Sequence, residues 1–185
     1  MIQQVIKRIE DELEAAFNEV FGWFNKEERL MVFRPLNNGW TIEEIVEHIY
    51  LTNFYLLILI RKGAASALKK SAETDFTRLL TDYDLDWNKM KLIGEHKSFI
   101  WNRPEHMEPS GSVTMTEVKG LLSKQMNDCL SLLNQLQNGE GVLHKTTMSV
   151  NGLGKIDVYH YIYFLVQHTQ RHLTQMQKVE IEFYK

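Results

Sequence analysis

Residues 41–60 read TIEEIVEHIYLTNFYLLILI, and this stretch decides the fold. Its first four residues have the form of a capping box, in which the Thr41 hydroxyl and the Glu44 carboxylate satisfy backbone amides at the start of a helix. Apolar residues then recur at intervals of three and four, which is the helical period. The pattern predicts a long helix that begins at Thr41 and continues to about Lys62, where Gly63 ends it.

Three other segments have the same helical pattern. The first long helix is predicted over about residues 2–25, the third over 114–137 after a second capping box, and the fourth from about Asp157 to the C-terminus. Four glycines within residues 139–155 indicate a loop. Because no segment alternates convincingly as a strand does, we predict an all-α fold, a four-helix bundle.

The connections predict how the helices are arranged. The short loop at residues 34–39 favours antiparallel packing of the first two long helices against each other. The segment 64–110 is long enough for a crossover connection between the second and third, and it has patterns for short extra helices at 73–82 and 86–95. A length of 185 residues predicts a single domain over residues 1–185.

Composition excludes several classes of protein. With 24% charged and 44% hydrophobic residues and a net charge of −3, the chain resembles an ordinary globular protein and has no electrostatic reason to bind nucleic acid. The longest apolar run, residues 54–60, is far shorter than the ~20 residues that span a membrane. The N-terminal segment carries charges where a signal peptide is apolar, so we expect a cytoplasmic protein with no membrane association. The single Cys129 fits a reducing compartment.

Three histidines are candidate metal ligands. His168 and His172 are four residues apart on the fourth predicted helix, so they project from one face and can hold one ion. His48 lies beside the apolar stripe of the second helix and can supply a third nitrogen. Neutral imidazole suits zinc, nickel, copper or iron, and catalytic zinc usually keeps one position for water or substrate. Hydrogen-bonded core histidines, or a salt-bridged surface pair, are the alternative.

The residues around these histidines suggest further roles. Glu44, one turn before His48, is a candidate general base, although capping the helix is the favoured role. Gln175 can orient a ligand or contact a neighbouring helix. Glu47 can accept a histidine N–H, although a solvated carboxylate is favoured, and Arg171 is expected to point away from the metal face.

The pair does not fit a zincin protease. That motif places a glutamate directly after the first histidine, where this chain has Thr169.

Two motifs resemble the DinB/YfiT-like four-helix-bundle superfamily. They are GWTIEEIVEHI at residues 39–49 and YFLVQHTQRHLTQ at 163–175, and RPEHMEPSG at 103–111 is also similar to this group. The resemblance implies a DinB-like bundle that forms a homodimer. It also implies that His48, His168 and His172 hold a divalent metal, either zinc or nickel.

The resemblance also implies candidate activities. Characterised members include S-transferases that use bacillithiol, mycothiol or glutathione, and a mycothiol-dependent maleylpyruvate isomerase. The most concrete expectation is therefore a metal-dependent S-transferase that joins a low-molecular-weight thiol to a small-molecule substrate. Two alternatives stay open: a metal-dependent hydrolase, and a non-enzymatic metal-binding helical dimer of stress-response type.

Overall fold

The computed structural model describes residues 2–99 and 104–185, and these are mainly helical. The described helices are α1 (Ile2–Trp23), α2 (Glu28–Met31), α3 (Ile42–Ser71), α4 (Thr77–Thr81), α5 (Trp87–Gly94), α6 (Met115–Gln135) and α7 (Val158–Phe183). Strands β1 (Lys145–Met148) and β2 (Gly154–Asp157) form a small antiparallel hairpin. The predicted all-α four-helix bundle is confirmed, with α1, α3, α6 and α7 as its long helices.

Contacts between the long helices establish their directions. Hydrogen bonds from Tyr163 to Glu12 and from Gln177 to Glu19 make α1 and α7 parallel. Helix α3 is antiparallel to α7, because the start of α3 lies beside the second half of α7 while Gly63 faces Val158 at its beginning. The confirmed bundle therefore has α3 running opposite to α1.

Helix α6 also runs opposite to α1. The Lys119 ammonium lies 5.6 Å from the centre of the Phe24 ring at one end, and Gly139 approaches Ile2 at the other. Helices α3 and α6 are thus parallel, and residues 72–114 must return along the bundle to connect them. This is the predicted crossover connection, and it contains the short helices α4 and α5.

One prediction about packing is wrong. Helix α1 packs against α6 and α7, and α3 packs against the same two helices, so α1 and α3 lie diagonally across the bundle rather than as neighbours. The cause is the connection between them, which extends from α1 to Ile42 and includes α2. It is longer than the 34–39 loop that the sequence indicated, and it reaches the diagonal position.

Helix α3 does not end at Gly63, as the sequence predicted, but continues to Ser71. A Cβ atom at Gly63 would lie 3.0 Å from the His144 ring and 3.2 Å from a Val158 methyl carbon. The glycine therefore permits close packing of α3 against the start of α7. A helical glycine costs about 1 kcal/mol relative to alanine, which packing of this kind can offset.

The segment 139–155 is not only a loop, because it contains β1 and the first half of β2. Its strands have four residues each, too few to produce a recognisable alternation in sequence. Asn151, Gly152 and Gly154 have positive φ and turn the chain between the strands. Helices α4 and α5 are also shorter than the predicted 73–82 and 86–95.

The core lies between the four long helices. It includes Ile9, Leu13 and Phe17 of α1 and Tyr159 and Tyr163 of α7, which are fully buried. In the part of the chain that the structure describes, no helix has the length and apolar character needed to cross a bilayer.

Candidate metal centre

The structure brings the three predicted histidines together. His48 comes from the second turn of α3, and His168 and His172 come from one face of α7. All three are buried, with exposed fractions of 5%, 2% and 7%, and one ring nitrogen of each lies within 4.8 Å of the others. A cluster of this kind can hold a metal ion.

The spacing of the two α7 nitrogens fits a tetrahedral ion. The Nε2 atoms of His168 and His172 are 3.1 Å apart. Zinc–nitrogen bonds of about 2.0–2.1 Å at a tetrahedral angle place two ligand nitrogens about 3.3 Å apart. The observed separation therefore needs little adjustment to accommodate zinc or an ion of similar size.

Hydrogen bonds hold two of the rings with Nε2 available as the ligand atom. His48 Nδ1 lies 2.7 Å from the carbonyl oxygen of Met107, so Nδ1 carries the proton and donates it. His172 Nδ1 lies 3.0 Å from Gln175 Oε1 and likewise donates. With the proton on Nδ1, the lone pair is on Nε2, which is how neighbouring groups usually orient metal-ligating histidines.

Burial keeps the histidines of α7 neutral. Loss of solvent contact lowers the pKa of both His168 and His172 well below the usual range. The neighbouring histidines lower both pKa values further, whereas the hydrogen bond that His172 donates to Gln175 partly opposes this for His172. Since a metal binds the neutral ring, both side chains are in the correct protonation state at neutral pH.

A cavity of about 750 Å³ opens from the histidines, a size typical of small-molecule sites. Trp40, at the start of α3, forms part of its wall, and its ring centroid lies 4.8 Å from that of His48. Pro104 and Met107 form a second wall, and Met148, Ser149 and Val150 of the hairpin form a third. The sequence did not predict that these residues line a cavity.

Arg171 also lines this cavity, whereas the sequence predicted that it would point away from the metal face. Its guanidinium donates a hydrogen bond to the carbonyl oxygen of Glu95, a residue that does not itself line the cavity. Among the described residues that line the cavity, none is aspartate or glutamate. The lining is therefore cationic even before a metal is counted.

Two nearby glutamates have structural partners. Glu44 completes the capping box with Thr41 and forms an ion pair with Arg34 at 2.6 Å, so the capping role is confirmed. Glu47 is only 2% exposed, which corrects the expectation of a solvated carboxylate. It accepts hydrogen bonds from Ser110 and Gly111, not from a histidine. Neither carboxylate lines the cavity.

Cys129 is remote from the three histidines and is not activated as a nucleophile. The side chain is fully buried in α6, and burial raises the pKa of its thiol to about 12. A thiol with this pKa is almost entirely protonated at neutral pH, so it does not contribute to the site.

The family comparison agrees with the geometry. The model of the DinB superfamily matches residues 3–176, nearly the whole chain, and the protein therefore belongs to this superfamily. Searches of curated proteins and of solved structures found no match. The protein is thus a DinB-superfamily member with a buried three-histidine cluster that can bind a metal ion.

Proposed function

We propose that the protein is a metal-dependent S-transferase that joins a low-molecular-weight thiol to an electrophilic small molecule. The observation that carries the proposal is the position of three buried imidazoles beside a cavity of about 750 Å³. Three histidines leave a position for an exogenous ligand on a tetrahedral ion, as in catalytic rather than structural zinc sites. Zinc and nickel both suit this donor set.

The chemistry of the proposed reaction is a displacement at carbon. A sulfur–carbon bond forms, the bond to the leaving group breaks with its electron pair, and the thiol proton is released to solvent. A divalent ion held by the histidines would supply Lewis acidity that lowers the pKa of a coordinating thiol. The protein's own contribution is to keep His168 and His172 neutral by burial and to place a cation, Arg171, at the cavity wall, where an anionic thiol is favoured.

The lining of the cavity favours the transferase over a hydrolase. A hydrolase that activates water benefits from a general base within hydrogen-bond reach of that water. Glu44 is occupied by Thr41 and Arg34, and Glu47 is buried away from the cavity. A thiol that loses its proton on coordination has less need of such a base.

The transferase is tested by measuring thiol consumption. Metal-loaded protein is incubated with bacillithiol, mycothiol or glutathione and a panel of alkyl and aryl halides. We expect at least one pair to lose thiol and release halide in equal amounts, at a rate that falls to background in the His168→Ala variant. If wild-type protein and variant consume thiol at the same rate with every pair, the transferase is contradicted.

We also propose that the protein forms a homodimer through the middle of α3. Phe54, Ile58 and Leu59 are 44%, 36% and 48% exposed, and Leu51 and Tyr55 lie on the same helix face. The five side chains form an uncharged stripe. In a twofold-symmetric dimer, the stripe of one chain would pack against the same stripe of the second chain, as is usual for symmetric dimers.

The dimer is tested by sedimentation velocity. The double variant Ile58→Glu and Leu59→Glu is expected to be monomeric, because two carboxylates of each chain would then be buried against each other. Leu79→Glu, at a residue of α4 that is 56% exposed, is the matched control and is expected to stay dimeric. A monomeric wild-type protein at micromolar concentration would contradict the proposal.

A further inference from the structure

The buried carboxylate of Glu47 holds one end of a segment that lines the cavity beside the three histidines. Its Oε1 accepts hydrogen bonds from the backbone N–H and the hydroxyl of Ser110, at 3.0 and 2.9 Å, and its Oε2 accepts one from the Gly111 N–H at 2.9 Å. Three donors satisfy a side chain that is only 2% exposed. A buried carboxylate requires this degree of hydrogen bonding.

The next residue of α3 contacts the same segment. His48 Nδ1 donates its proton to the Met107 carbonyl oxygen at 2.7 Å, and the Thr52 hydroxyl lies 3.9 Å from the Met107 sulfur. We name residues 104–111 the strap. Glu47 and His48 are successive residues of α3, and both bind the strap. His48 binds Met107, whereas Glu47 binds Ser110 and Gly111, which follow Met107 by three and four residues.

We propose that Glu47 is a positioning residue for the metal centre. By fixing Ser110 and Gly111, it sets the place of the Met107 carbonyl, and that carbonyl keeps the His48 proton on Nδ1 and the ring aimed at the other histidines. The proposal rests on the proposed metal site. It goes beyond that site because Glu47 contacts neither the cavity nor a histidine ring.

Other roles for Glu47 fit the contacts less well. A general base needs a lone pair directed at the reacting proton, whereas both oxygens of Glu47 already accept hydrogen bonds from the strap. If Glu47 only stabilised the fold, there would be no reason for the adjacent residue, His48, to be hydrogen-bonded to the same strap. The strap also forms a cavity wall through Pro104 and Met107, so its position bears directly on the site.

The proposal has a reciprocal consequence. If anchoring of the strap by Glu47 strengthens metal binding, metal binding must strengthen that anchoring by the same factor. The backbone N–H groups of Ser110 and Gly111 report the anchoring directly, because they are donors to Glu47. Metal addition should therefore slow hydrogen exchange at these two amides in the wild-type protein.

The test is the Glu47→Gln variant, which keeps the side-chain volume but replaces one acceptor oxygen by an NH₂ group. We expect metal affinity to fall by about 10-fold, within the range found when groups that support metal ligands are altered. Hydrogen exchange at the backbone amides of Ser110 and Gly111 should accelerate. In the metal-free variant, nitrogen NMR should show that His48 no longer prefers the Nδ1–H form. Glu43→Gln, the same change on the same helix, is the control and should alter none of these.

The outcomes separate this inference from the proposed function. A folded Glu47→Gln variant with unchanged metal affinity and an unchanged His48 proton position would overturn the inference. If wild-type protein binds no metal, the metal site fails, and the NMR of His48 decides the role of Glu47 alone. If Glu47→Gln does not fold, Ser110→Ala is the second variant, because it removes one of the three hydrogen bonds to Glu47. We expect it to weaken the preference of His48 for the Nδ1–H form and to accelerate exchange at Gly111, with smaller changes than those expected for Glu47→Gln.

Discussion

Replacement of His168 by alanine is expected to lower metal affinity by more than about 100-fold, since alteration of groups that only support the ligands already costs up to that amount. The variant loses one of three nitrogens and leaves His172 without the partner that lies 3.1 Å from its Nε2. His48→Ala should have a similar effect, because it removes the only ligand that α3 provides. The measurement is competition for zinc or nickel against a chromophoric chelator.

The matched control for these variants is His144→Ala. His144 is a half-buried histidine that lies outside the cluster, the cavity and the strap, so its replacement should leave metal affinity within twofold of wild type. If His48→Ala and His168→Ala both bind metal as tightly as His144→Ala, the three histidines are not the ligands.

Metal binding is also expected to stabilise the fold strongly. The ligands join α3 to α7, so the site exists only in the folded chain, and a metal at 100 times its dissociation constant should add about 2.7 kcal/mol to the free energy of unfolding. For a protein of this length, that corresponds to a rise in Tm of about 5–10 °C. Scanning calorimetry with metal and with excess chelator measures the difference.

The stabilisation must depend on the histidines. The His168→Ala variant should show no rise in Tm on metal addition, whereas His144→Ala should show the full rise. An equal rise in wild-type protein and the His168→Ala variant would indicate that the metal binds elsewhere.

The long helices could be predicted because their determinants are local. The capping boxes at Thr41 and Thr114 and the apolar periodicity of three and four are visible in sequence, and both capping boxes form in the structure. The end of α3 could not be predicted in this way. Gly63 resembles a stop signal, and only the approach of His144 and Val158 shows that the glycine instead makes room for packing.

The candidate site also combines features that the sequence predicts with features that it does not. The spacing of His168 and His172 on one helix is a local property, and the pairing with His48 follows once two helices of a bundle face each other. The Met107 carbonyl could not be found, because a backbone atom has no sequence signal. The contacts of Arg171 could not be predicted either, because its hydrogen bond to the carbonyl of Glu95 joins distant parts of the chain.

X-ray absorption spectroscopy of the metal-loaded protein, purified without a histidine tag, tests the central claim most directly. With zinc, we predict one ion per chain, three imidazole nitrogens at about 2.0–2.1 Å and a fourth light-atom ligand that a bound thiol replaces with sulfur at about 2.3 Å. The imidazole signal should fall in the His48→Ala variant. A spectrum without imidazole scattering, or one with four protein ligands that a thiol does not displace, would contradict the open three-histidine site.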